Sequence, residues 1–192
     1  MRVLGIDPGT TATGWGVVEV AILPGRGPSH RHIASGVIRV KGELPMRLAG
    51  VFAGVCDILA EHAPQALSIE KTFVSENIQS AFRLGEARGT VLVAAARAGV
   101  AVYEYSPAEI KMAVVGYGRA VKDQVQSMVT RLLSLPNHPA TDEADALAAA
   151  LCHLHADRIR SLAGDLALQR RGKARRPSAP PVVHLRLPRS SR

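Results

Sequence analysis

Apolar positions along the chain change period as it proceeds. Val and Ile dominate residues 2–7 and 14–21, and Pro8-Gly9-Thr10-Thr11 between them is turn chemistry, so the two segments read as a hairpin. A third β segment is expected at about 33–40, after Leu23-Pro24-Gly25-Arg26-Gly27-Pro28, a stretch that reads as a surface insertion. The spacing then becomes helical. Leu44, Leu48, Val51, Val55, Ile58, Leu59 and His62 recur on one helix face. Ala66 to Phe73 predicts a strand, 76–98 a long helix, and Val100 to Tyr105 a fifth strand. Three more helices are expected over 106–115, 120–135 and 141–162, and no internal repeat interrupts the order.

Three antiparallel strands followed by alternating strands and helices predict an α/β fold, a mixed five-stranded sheet flanked by helices, which matches the ribonuclease H-like architecture. That architecture also serves kinases and ATPases, so the reaction must be argued from residues at the strand ends.

Length and composition change the picture in three ways. A chain of 192 residues suits one compact domain plus a tail. Its longest apolar stretches fall well short of the roughly 20 residues a membrane span needs, and Asp7 and Pro8 interrupt the run a secretory signal would require. The expectation is a cytoplasmic protein with no membrane association. Cys56 and Cys152 sit alone in apolar helical patterns, so buried reduced thiols are expected. The net charge of +8 is unevenly placed: residues 1–165 carry 16 basic and 16 acidic groups, whereas 166–192 carry 8 basic groups and no acid. A neutral body with a basic Pro- and Ser-containing end fits a polyanion-binding arm, and equally a solvated tail.

Candidate chemistry lies in the acids. Asp7 ends the first strand, where it is either a turn residue opening Asp7-Pro8-Gly9 or a site residue. Glu70 closes the apolar strand Ala66-Leu67-Ser68-Ile69, a place where an acid needs a compensating partner such as a metal or a salt bridge. Lys71 is the neighbouring cation, but strand alternation turns it to the opposite face. Asp142 and Asp145 are three apart in the first turns of an alanine-rich helix and therefore share a face. Acids there also serve as caps and complement the helix dipole. Hard oxygen donors without clustered Cys or His suit Mg²⁺ or Mn²⁺. Two such ions about 4 Å apart activate a water and stabilise the leaving oxygen in phosphoryl transfer.

At these residues the sequence resembles the RuvC family of Holliday-junction resolvases. The carrying segments are Gly5-Ile6-Asp7-Pro8-Gly9, Ile69-Glu70-Lys71-Thr72-Phe73, Leu84-Gly85-Glu86-Ala87-Arg88-Gly89, Val114-Val115-Gly116-Tyr117-Gly118 and Lys122-Asp123-Gln124-Val125-Gln126, completed by Asp142 and Asp145. The resemblance runs from Met1 to about His155 and implies a nuclease domain at 1–160; the basic, Pro-containing composition of 161–192 predicts a disordered tail. It implies that Asp7, Glu70, Asp142 and Asp145 bind the catalytic Mg²⁺ or Mn²⁺, two ions per active site, and that Lys111 and Lys122 contact DNA near the scissile phosphate. Phe73 falls where the family places an aromatic beside the junction, with core packing as the alternative. The implied activity is paired symmetric nicking of four-way junction DNA in recombination and repair, by a homodimer, with the RuvA and RuvB branch-migration proteins as partners. The family uses the 76–98 helix in its dimer. Gly85 and Gly89 in that helix, each costing roughly 1 kcal/mol against alanine, suggest close backbone approach, either across the dimer or within one subunit. Lys71, the 21–32 loop and the segment beyond about 160 depart from the family's pattern.

Rival readings remain. Gly5 to Thr11 also resembles the phosphate-binding turn of actin-like ATPases and sugar kinases, but the second acidic, glycine-rich turn of that group is missing. A junction-binding module without activity would have lost an acid, and all four are present. A nuclease of the same fold acting on another branched or RNA-containing substrate is the alternative that cleavage assays discriminate.

Overall fold

The computed structural model describes residues 1–21, 27, 29–71 and 78–171, with 164–171 described by backbone alone. Five strands are present: β1 (Arg2–Asp7), β2 (Ala12–Ala21), β3 (Ser29–Arg39), β4 (Ala66–Glu70) and β5 (Ala101–Tyr105). The helices are α1 (Leu44–His62), α2 (Ile78–Arg97), α3 (Pro107–Val115), α4 (Lys122–Leu132) and α5 (Thr141–Arg171). The strands form one sheet in the order β3-β2-β1-β4-β5. The hairpin β1–β2 and the pair β2–β3 are antiparallel, whereas β1–β4 and β4–β5 are parallel. This is the mixed five-stranded, helix-flanked sheet that the hydrophobic pattern predicts.

Alternation along the strands divides the core into two layers. Leu4, Ile6, Val17, Leu67 and Ile69 pack against Val51, Val55, Ile58 and Leu59 of α1 and Val91, Ala94 and Ala95 of α2. On the opposite face Val3, Val18 and Ala66 meet Ile110 and Val114 of α3, Val125 and Val129 of α4, and the run from Leu147 to Leu154 of α5. The apolar positions are almost wholly buried, which at roughly 25 cal/mol per Å² makes this sandwich the main stabilising term.

Several element ends differ from the sequence pattern, among them β4, which stops at Glu70 with Lys71 outside the strand, and α4, which spans Lys122–Leu132 within the expected 120–135; two others have a clear cause. β3 starts at Ser29, ahead of the expected 33, because β2 pairs with it out to Ala21 opposite Ser29 across a register shift at Val17/Val18. Ladder hydrogen bonds thus recruit the polar run Ser29 to His32, which has no hydrophobic alternation to announce it. α5 continues to Arg171, beyond the expected 162, through residues such as Leu166, Ala167, Leu168 and Gln169 that favour helix intrinsically.

The chain divides into two units, Met1–Arg158 and Ile159–Arg192. The first contains the sheet and both core layers; in the second, the described residues are helical to Arg171. Cys152 is buried and Cys56 half-buried, and both are unpaired thiols. No helix among the described residues is long and apolar enough to cross a membrane.

Candidate active site

The site is built by register. Val3, Gly5 and Asp7 alternate onto one face of β1, and Ala66, Ser68 and Glu70 onto the same face of β4. Because Ile6 pairs with Ile69 in parallel, Asp7 and Glu70 emerge beside each other at the C-terminal ends of adjacent strands. This is where open α/β sheets place their ligands.

α5 lies directly on that face. A Cβ on Gly5 would overlap the Ala146 carbonyl, one on Gly14 the Asp142 carbonyl, and one on Gly16 the Leu147 side chain. These glycines let helix backbone touch sheet backbone. Ser68 adds a buried tie, donating its hydroxyl to the Ala149 carbonyl at 2.6 Å. The helix that begins at Thr141 therefore delivers its first turns, with Asp142 and Asp145, to the strand ends.

A cavity of about 280 Å³ opens there, lined by Asp7, Glu70, Asp145, Lys111, Lys122, Pro107, Ile110 and Val125. Five of the sequence-predicted residues thus share one space. Asp142 is not part of the lining, although its charge acts on both Asp7 and Asp145. Phe73 and most of the 22–28 loop lie outside the described residues, as does the tail beyond Arg171. Pro107, Ile110 and Val125 form apolar walls that sequence reasoning missed as site residues. Ile110 and Val125 are buried positions of α3 and α4, where helical spacing signals only core. Pro107 follows Ser106, whose capping box with Glu109 starts α3 and so places Lys111.

The acids strain against one another. Burial, then repulsion from Asp145, Asp142 and Glu70, pushes the Asp7 carboxyl up to about 7, with Lys122 opposing. Asp145 is also raised, chiefly by burial. Its ion pair with Lys122, Nζ to Oδ2 at 3.6 Å, does not offset this, since the lysine side chain is 75% exposed and water screens it. Glu70 is raised by burial and by Asp145, even though it remains open to solvent on one side.

Three carboxylates of raised pKa around one cavity form a concentrated negative charge that a hard divalent cation would neutralise, and the lining holds oxygen donors with no thiol or imidazole. The donors fit such an ion in kind. As the side chains stand, no three His, Cys, Asp or Glu among the described residues converge closely enough to hold one together. The ammonium of Lys122 stands beside Asp145 instead.

Comparison with known proteins agrees with this geometry. The family model described as crossover junction endodeoxyribonuclease RuvC matches residues 3–153. A protein of that description from Chromohalobacter salexigens is 48% identical over 174 residues, covering 90% of this chain and 91% of the relative. The solved structure of Thermus thermophilus RuvC superposes with a TM-score of 0.75 at 38% identity, over 83% of this chain and 96% of that one. The same Thermus protein in complex with Holliday junction substrate gives 0.76 at 37% identity, with the same coverage. A match over most of the chain, with acids at the ends of β1 and β4 and at the start of α5, shows that the chain belongs to the RuvC family of crossover junction endodeoxyribonucleases.

Proposed function

We propose that this protein is a structure-selective endodeoxyribonuclease that resolves four-way DNA junctions by paired symmetric nicks, in recombination and DNA repair. The observation that carries the reading is the cavity in which Asp7, Glu70 and Asp145 face Lys111 and Lys122, in a chain similar to a RuvC solved with Holliday junction substrate.

Asp7, Glu70, Asp142 and Asp145 would hold Mg²⁺ or Mn²⁺, two ions per site. When bound, the ions supply Lewis-acid activation of the attacking water and of the leaving oxygen. With a cation held by Asp145, the exposed Lys122 ammonium, which now stands beside that carboxylate, would be available to a phosphate oxygen. Lys111, on α3 and less exposed, meets the backbone from the cavity wall. Pro107, Ile110 and Val125 keep that wall apolar and strengthen the electrostatic contacts made against it. Phe73, three residues beyond Glu70 in sequence, is read as a ring that stacks on a junction base.

The dimer belongs to the same proposal. On α2, Ile78 is 65% and Phe82 70% exposed, and with Ala81, Gly85 and Glu86 they line an open apolar groove of about 480 Å³. A Cβ added at Gly85 or Gly89 would meet nothing within 4 Å among the described residues. Packing among the described residues of the subunit does not require these glycines, which supports close approach by a second copy. A two-fold dimer presents two sites to two symmetry-related strands. RuvA and RuvB as partners, a cytoplasmic setting with the DNA substrate, a nuclease domain at 1–160 and a phosphate-tracking role for the basic 161–192 tail complete the reading.

A labelled four-way junction, a plain duplex and an RNA–DNA hybrid incubated with Mg²⁺, Mn²⁺ or chelator test it. The expected result is metal-dependent nicks at symmetric positions on two junction strands. Preferential cleavage of the hybrid would overturn it.

A further inference from the structure

Glu143 lies between two acids of the site in sequence, yet it faces elsewhere. At 3.6 residues per turn it is rotated well away from Asp145. Its carboxylate meets β3 instead. Ser35 donates its hydroxyl proton to Glu143 Oε1 at 2.6 Å, and Oε2 accepts the backbone N–H of Ala140 at 3.1 Å. Ser35 Oγ also lies 2.6 Å from His32 Nε2. With the hydroxyl proton committed to Glu143, His32 acts as the donor, its proton on Nε2. Strand β3 and the start of α5 are thus joined by a continuous hydrogen-bonded chain.

The first turn of a helix needs such a tie. Its amides have no partners within the helix, and Ala140, which precedes Thr141, has no side chain with which to cap them. The glycine contacts set how closely α5 approaches the sheet, but a cylinder resting on flat backbone can still roll. A bond off the contact line prevents that, and Glu143 supplies one toward β3.

We propose that Glu143, held by Ser35 and His32, is a positioning residue for metal-dependent cleavage: it fixes the rotation of the first turn of α5, and with it the directions in which Asp142 and Asp145 present their carboxylates. The proposal rests on the reading that those acids hold the metal. His32, Ser35 and Glu143 line a solvent-open cavity of about 320 Å³ with Pro136, Asn137 and His138. Water can replace a deleted group there, so the fold tolerates substitution.

The test uses full-length Ser35→Ala, Glu143→Gln and Glu143→Ala proteins. Mn²⁺ affinity is measured by calorimetry without DNA, and amide exchange at Ala144 and Asp145 is followed in chelator. Ser35→Ala is expected to weaken Mn²⁺ binding roughly tenfold, the low end of what loss of groups that orient metal ligands costs. It also speeds exchange in the first turn while leaving junction affinity in chelator unchanged. Glu143→Gln, which still accepts from Ser35, falls between wild type and Glu143→Ala. The double variant Ser35→Ala/Glu143→Ala is no worse than Glu143→Ala, since both remove one chain of bonds. If Glu143→Ala does not fold, Ser35→Ala and Glu143→Gln decide the question. Wild-type metal affinity and exchange in Ser35→Ala overturn the positioning role and leave the proposed activity standing. Absence of Mn²⁺ binding by the wild-type protein overturns both.

Discussion

Lys122 Nζ stands 3.6 Å from Asp145 Oδ2, so a residue expected on DNA and a residue expected on metal are paired with each other. An exposed pair of this kind is worth at most about 1 kcal/mol. Lys122→Gln is therefore expected to tighten Mn²⁺ binding without DNA by about two- to fivefold, because the cation loses a competitor. The same variant weakens junction binding and slows cleavage. Calorimetry and single-turnover nicking measure the two effects separately; weaker metal binding would show that Lys122 supports the metal site.

Replacing Asp7, Glu70, Asp142 or Asp145 by the matching amide is expected to abolish junction cleavage and leave junction binding within about tenfold of wild type, because shape is kept and the cation's charge partner is lost. Asp142 is the informative member, as its side chain does not line the cavity. Near-normal nicking by Asp142→Asn would assign that residue to the helix start alone.

The raised carboxyl of Asp7 links stability to pH. Between its ordinary value of 3.8 and about 7, the folded chain binds a proton that the unfolded chain has released. Stability of the metal-free protein therefore falls as pH rises through this window and levels off above it. The displacement corresponds to up to about 4 kcal/mol. Glu70 and Asp145, raised in the same direction, add to the slope. Denaturant unfolding in chelator from pH 4 to 8 should show the decline, and Asp7→Asn should flatten it. A rise in stability over the same range would contradict the crowding of acids at this site.

Phe82→Asp is expected to give a folded monomer by sedimentation, with unchanged far-ultraviolet circular dichroism, since Phe82 is 70% exposed on its own chain. It should retain metal binding and lose paired nicking. A dimer that survives Phe82→Asp together with Gly85→Leu would exclude this face of α2.

The fold was legible because two periods, alternating and helical, follow each other cleanly from Arg2 to Leu154. Asp7 and Glu70 were legible because an acid closing an apolar strand is costly without a partner. Ser29 to His32 were not, since their strand pairing is dictated by β2 and not by their own pattern. Glu143 looked like one more acid in a helix start, and nothing local shows that its partner is Ser35, 108 positions earlier. Gly5, Gly14 and Gly16 gave no sign of the helix that crosses them. Their meaning depends on which helix crosses which strand, a long-range relation that periodicity does not carry.

Gly14 shows what that relation does to the map of tolerated change. A methyl group there would collide with the Asp142 carbonyl, so the smallest possible side chain pushes an acid-bearing helix off the sheet. Gly5 and Gly16 make the same demand further along α5. Intolerance to substitution in this chain is therefore expected to mark two different things: groups proposed to do chemistry, and bare stretches of backbone whose contribution is to be empty. A survey of damaging variants that ranks residues by lost activity would place Gly14 beside Asp7, and only the direction of the loss, reduced order in α5 in one case and an intact helix in the other, tells the vacancy from the reagent.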